Sequence, residues 1–178
     1  DGQSPRLEWM LMSCQKAVSV HQAEADEMDL IRTLFCEYES SVDERACFND
    51  FERELAALPG DYAAPNGCLL IASSGSAVSG CVALRPLDRS TVEVKRLYVR
   101  EPYRRKGIGA ALMRTLIRRA HHGGISKLVL ETLPTMRAAN NLYQQLGFVH
   151  ACAYHPDPAP IVTPLMLDLQ TNTPMING

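Results

Sequence analysis

Six consecutive residues, Arg104-Arg105-Lys106-Gly107-Ile108-Gly109, carry the most telling chemistry in this chain. Three cations stand beside two glycines, and glycine lets a backbone come close to a bulky ligand. Amides at the start of a helix have no acceptor within it, and the helix dipole adds positive charge at the same place. With the guanidinium and ammonium groups they make an anion site, into which a pyrophosphate would fit. The spacing excludes two other phosphate loops. No Gly-x-x-x-x-Gly-Lys-Ser/Thr occurs, and Arg-x-x-Gly-x-Gly midway along the chain is not the early Gly-x-Gly-x-x-Gly of a dinucleotide fold. Taken alone, the six residues suit an ordinary βα turn with a solvated basic surface equally well.

The elements that must hold this loop are a strand before it and a helix after it. Thr91–Val99 (TVEVKRLYV) reads as the strand, and residues 107–122 as the helix, with Ile108, Ala111, Leu112, Leu116 and Ala120 at helical spacing. Upstream, residues 16–21 read as a strand, 23–39 as a helix, and 48–58 as a second helix ended by Pro59-Gly60. Residues 68–73 and 78–87 read as strands across a Ser-Ser-Gly-Ser turn. Downstream come a strand at 127–132, a helix at 135–146, a strand at 148–154, a proline-stiffened loop and a last strand at 162–169.

A chain of 178 residues, 46% hydrophobic and 21% charged, is the size and composition of one globular domain. Its net charge of −2 gives no general attraction to nucleic acid. Nine of the 18 Lys and Arg lie between Lys95 and Arg119, where the single acid is Glu101. Only Tyr98 and Tyr103 lie in that window, so no stacking platform interleaves with the charge and a multiply phosphorylated nucleotide is favoured over RNA. Six cysteines without a Cys-x-x-Cys pair argue against a metal site and a disulfide framework. With neither a membrane-length apolar run nor a secretion signal, the cytoplasm is the expected compartment and no membrane partner is expected. Residues 1–13 begin without Met and read as an extension or expression remnant, 14–170 as one domain, and 171–178 as a polar tail.

Two segments carry a family resemblance. Val94 to Gly109 (VKRLYVREPYRRKGIG) resembles the acyl-CoA-binding core of the GNAT superfamily of N-acetyltransferases. Ala139 to Phe148 (ANNLYQQLGF) resembles the Ala-x-x-Leu-Tyr-x-x-x-Gly-Phe helix and strand of the same superfamily. The resemblance implies an α/β (α+β) GNAT fold: a mixed, mostly antiparallel sheet of six to seven strands, flanked by about four helices, whose fourth and fifth strands splay around the cofactor. It implies acetyl-CoA as donor, with pantetheine on the main chain of Leu97, Tyr98 and Val99. The pyrophosphate would lie on Arg104, Arg105, Lys106, Gly107, Ile108, Gly109 and Ala110. No metal is expected.

The resemblance also suggests roles in catalysis. Acyl transfer to an amine needs a neutral amine, a polarised thioester carbonyl and a proton for the departing thiolate. Tyr143 holds the position where many members carry a tyrosine near the CoA sulfur, and Glu93 the one where several carry a glutamate acting through water. A strand amide, that of Val99, would polarise the carbonyl. Simple alternation puts Glu93, Lys95, Leu97 and Val99 on one face, with a bulge able to change that register. Glu93 also suits a salt bridge to Arg85 or Lys95, and Tyr143 also suits a ring that packs and only hydrogen-bonds CoA, as a cofactor contact without a part in the chemistry. Where many members carry an asparagine seven residues before the tyrosine, this chain has Met136, and Asn140 is the substitute CoA contact.

Arg85 and Arg96 are candidates to bind an acceptor carboxylate, pointing to a small amino-acid-like amine, and Phe48, Phe51 and Tyr62 to wall its pocket; an exposed strand face and core packing are the alternatives. Cys81, with no histidine recognisably paired to it, is not expected to be a nucleophile. The expected reaction is acetyl transfer to a primary amine by direct attack in a ternary complex. The alternative is a non-catalytic acyl-CoA-binding regulatory module. A homodimer that exchanges C-terminal strands is compatible with residues 162–169.

Overall fold

A computed structural model describes residues 17–42, 50–156 and 161–171. The expectations for residues 1–13, Phe48 and most of the polar tail lie outside them. The elements run β1 (Val18–Gln22), a 3-10 turn, α1 (Met28–Ser40), α2 (Phe51–Ala57), a second 3-10 turn, β2 (Cys68–Ser74), β3 (Ala77–Pro86) and β4 (Thr91–Val99). A third 3-10 turn follows, then α3 (Ile108–His122), β5 (Lys127–Thr132), α4 (Arg137–Gln145), β6 (Val149–His150) and β7 (Thr163–Asp168). The seven strands form one sheet in the order β1-β2-β3-β4-β5-β7-β6. Every pairing is antiparallel except that of β4 with β5.

Each face of the sheet has its own core. α3 buries Ile108, Leu112, Met113, Leu116, Ile117 and Ala120 along one stripe and leaves Arg114, Arg118 and Arg119 in solvent. That stripe packs with Leu70, Val82, Val92, Val94, Leu128, Leu130 and Tyr143. On the other face, Ile31, Leu34 and Phe35 of α1 pack with Phe51, Tyr62, Leu69, Ile71, Cys81 and Ala83.

The strand expected over 148–154 is regular only at Val149 and His150, which pair with Met166 and Leu165. Beyond the Ala151 amide, which reaches Pro164 O at 3.0 Å, the chain turns away from the sheet and brings Tyr154 and His155 to Glu93. The first helix opens as a 3-10 turn over Ala25–Glu27 and becomes α-helical only at Met28.

Candidate active site

The parallel pair determines the site. β4 and β5 are in register at Thr91 with Lys127, Val92 with Leu128, and Glu93 with Val129, and among the described residues their pairing ends there. β4 continues along β3 to Val99, and β5 continues along β7 to Thr132. The strands therefore part, leaving backbone groups on their facing edges for a ligand to meet. A cavity of about 60 Å³ lies in the opening, lined in part by Val94, Lys95, Leu97, Glu131, Met136 and Tyr143.

A bulge within β4 decides which side chains face which way. Cys81 pairs with Tyr98 and Ala83 with Lys95, so Val82 alone opposes Arg96 and Leu97. Arg96 takes φ 57° to make this possible. The bulge corrects the simple alternation. Glu93, Lys95, Arg96 and Tyr98 share the α1/α2 face, whereas Leu97 and Val99 join Val92 and Val94 on the α3 face. Gly80, opposite Val99, must lack a side chain, because a Cβ there would stand 2.3 Å from the Tyr98 carbonyl oxygen.

At the open end of the cleft lies the basic loop. Arg105 and Gly107 take positive φ values of 58° and 78°, and the Ala111 amide closes the first turn of α3 on the Gly107 carbonyl. The amides before Ala111 have no acceptor within the helix. Arg104 Nε donates to Val99 O at 2.9 Å and Lys106 Nζ to Pro102 O at 2.8 Å, which fold both side chains back over the loop. Gly109 is an ordinary helical residue. A Cβ there would stand 3.4 Å from Leu142 Cδ2 and 3.8 Å from Val99 Cγ2, so the first turn of α3 lies against α4 and the end of β4.

Tyr143 forms part of the inner wall, buried and 5.6 Å from the Phe148 ring centre. Burial pushes its phenol well above the usual range, so it is a held proton at neutral pH. Asn140 is engaged within the protein: Thr132 Oγ1 donates to its Oδ1 at 2.8 Å, and its Nδ2 donates to Leu133 O at 2.9 Å. These bonds tie α4 to the end of β5.

On the α1/α2 face the charges pair with one another. Glu93 is fully buried. Its Oε2 accepts from Arg85 Nε at 2.6 Å, and its Oε1 lies 3.0 Å from Tyr154 Oη, 2.9 Å from His155 Nε2 and 3.7 Å from Lys95 Nζ. Burial alone would raise its pKa, but the Lys95 and Arg85 charges and the bonds from His155 and Arg85 hold it below the ordinary value. Arg96, 6% exposed, forks onto Glu54, with Nε to Oε1 at 3.0 Å and Nη2 to Oε2, and its guanidinium stacks 5.2 Å from the Phe51 ring centre. Tyr62 donates to Glu54 Oε1 at 2.6 Å.

The arginines proposed for an acceptor carboxylate therefore engage carboxylates of the protein itself, and Phe51 and Tyr62 pack around one of those pairs. Glu54, Tyr154 and His155 escaped the sequence reading, because no local pattern signals a partner 42 to 62 residues away. Burial also raises the Cys81 thiol far above its usual range, which makes it a poor nucleophile.

A mixed sheet opened at its one parallel seam, with a basic helix start at the mouth, defines an acyl-CoA-type acyltransferase fold. The comparisons place the chain within that class. The model of the acetyltransferase (GNAT) family matches residues 28–148, and the chain belongs to that family as an acetyl-CoA-dependent acyltransferase. An uncharacterised N-acetyltransferase of Schizosaccharomyces pombe is 33% identical over 146 residues, covering 80% of this chain and 89% of that protein. Human N-acetyltransferase 8 is 34% identical over 101 residues, and the match spans 53% of this chain but only 44% of the human protein. Among solved structures, a GNAT-family acetyltransferase from Staphylococcus aureus superposes with a TM-score of 0.70 at 16% identity, over 86% of this chain and 99% of that one. A Salmonella typhimurium acetyltransferase, solved with its cofactor acetyl-CoA, gives 0.65 at 20% identity, over 86% and 94%. At such identities the structures speak for the fold.

No helix among the described residues is long and apolar enough to cross a membrane. Nor do they include a group of three or more His, Cys, Asp or Glu that could hold a metal ion.

Proposed function

We propose that the protein transfers acetyl from acetyl-CoA to the primary amine of a small acceptor, by direct attack in a ternary complex. The observation that carries this reading is the cleft itself, with the amides and cations of residues 104–110 at one end and Tyr143 in its wall. In this reading the pyrophosphate lies on the start of α3. The pantetheine arm runs between the parted strands along the backbone of Leu97, Tyr98 and Val99, and a β4 amide, that of Val99, polarises the thioester carbonyl.

The amine nitrogen attacks the carbonyl carbon, the C–S bond breaks, and the thiolate takes the Tyr143 proton. The phenol holds its proton at neutral pH, and because burial makes it a weaker acid than a free tyrosine, the transfer depends on how closely the thiolate is held to it. The proton lost by the amine leaves to water at the cleft. Glu93, ionised and held by Arg85, Tyr154 and His155, is the fixed negative charge that favours its departure, and a proton from water restores the Tyr143 phenol. With Arg85 and Arg96 both paired internally, the reason to expect a carboxylate on the acceptor falls away.

Calorimetric titration with acetyl-CoA, on the wild type and an Arg104→Ala, Gly107→Ala double variant, tests the reading. Saturable binding that the variant loses is the expected result, with folding stability lowered by no more than the about 1–2 kcal/mol that a side chain costs at the positive φ of residue 107. A wild type that fails to bind acetyl-CoA sinks it.

A further inference from the structure

The cleft contains a polar atom that the protein leaves unanswered. Glu131 Oε1 is buried and has no hydrogen-bond partner. A buried polar atom without a partner is costly, so its presence in a folded protein calls for a reason. Its surroundings supply one. Leu128, Leu130 and Thr132 of β5 face α3 and α4, so alternation turns Glu131 to the opposite side of the sheet, with Glu93 and Lys95. That side is away from the basic loop, and the Glu131 charge is felt there by Tyr154.

Of the cations lining the cavity or lying nearby, Arg96 forks onto Glu54, Arg85 gives its Nε to Glu93 and Lys95 stands 3.7 Å from Glu93, and none of them is hydrogen-bonded to Glu131 Oε1. Glu131 and Tyr143 line the same cavity.

We infer that Glu131 is the carboxylate that receives the acceptor, its Oε1 accepting a hydrogen bond from the nitrogen of the incoming amine, which enters as the ammonium and gives up one proton to water before it attacks. The inference rests on the acetyltransferase reading above and deepens it by naming an acceptor class. An alkylamine or arylalkylamine supplies the missing donor and brings no opposing charge. An α-amino acid carries a carboxylate next to its amine and would set it against Glu131. The site therefore selects amines without a neighbouring carboxylate.

Matched probes separate the possibilities: 2-phenylethylamine against phenylalanine, and butane-1,4-diamine against glycine. CoA release is followed for the wild type and Glu131→Gln, with acetyl-CoA affinity and thermal midpoint measured for both. The expected wild type turns over at least one of the two amines with a kcat/KM tenfold or more above its amino-acid partner. Glu131→Gln is expected to raise the KM of that amine tenfold or more, with acetyl-CoA affinity within twofold and an unchanged midpoint.

Equal use of the amino acids, an unchanged KM in Glu131→Gln, or no turnover of either amine by a wild type that binds acetyl-CoA overturns the inference and leaves the cofactor reading standing. A KM rise accompanied by a lowered midpoint and weakened acetyl-CoA binding also overturns it, because the carboxylate would then be structural. Loss of acetyl-CoA binding in the wild type removes both.

Discussion

The two faces of the sheet at β4 and β5 are built on different principles. The α3 face is apolar beneath and basic at its end, where main-chain amides and exposed cations stand at the start of the helix. The α1/α2 face is a buried ionic network, Glu54 with Arg96 and Glu93 with Arg85, Lys95, Tyr154 and His155. A backbone site tolerates changes of side chain and depends on turn geometry. A network of buried charges depends on every member, since removing one partner strands the other in a medium that solvates it poorly.

The sharpest way to break this contrast is Arg96→Ala. Glu54 would keep only the Tyr62 hydroxyl and lose its buried counter-charge, so a loss of about 3–5 kcal/mol is expected in urea unfolding. Adding Glu54→Ala to Arg96→Ala should recover part of that loss, and strictly additive losses would show that the pair is not coupled.

Next in size is Tyr143→Phe. It should lower kcat by about 100-fold, the lower end of what a positioned acid supplies, with acetyl-CoA binding unchanged by calorimetry. An unaltered kcat would reduce Tyr143 to a packing residue. An effect of the same kind is expected from pH. The folded pKa values of Glu54 and Glu93 lie below the ordinary 4.5, so the stability they contribute is present above that value and is lost as pH falls through their folded values. The thermal midpoint should drop on acidification below pH 4.5, and Glu93→Gln should flatten that drop.

The smallest effect belongs to the other face. Gly109→Ala meets only ordinary contacts and improves helix propensity, so folding should gain up to about 1 kcal/mol. Acetyl-CoA affinity should stay near the wild-type value, because the new methyl faces Leu142 and Val99. A sharp fall in affinity would show that the ligand reaches into this packing.

The same division decides what could be read in the chain. Strands Thr91–Val99 and Lys127–Thr132 match their expected bounds, because alternating or continuous apolar runs between turn residues are local signals. The basic turn and α3 were legible for the same reason. The pairing of Arg96 with Glu54 was not foreseen, because that partner lies 42 residues earlier, on a helix whose position follows from packing. The faces of Leu97 and Val99 were read wrongly because a bulge is a property of two paired strands, and β4 alone shows no sign of it. Glu131 was missed because its distinguishing property is the absence of a partner, which only coordinates reveal.

The short parallel seam has a mechanical consequence. Strands β1 to β4 form one plate and β5, β7 and β6 another, and only three register pairs stitch the plates together along the sheet. A molecule lodged in the gap beyond the stitches would act as a splint across both plates. Occupancy should therefore be felt as added stiffness well away from the point of contact. Amide hydrogen exchange along β5 and β7 should slow on addition of acetyl-CoA, although β7 lies on the far side of β5 from the gap.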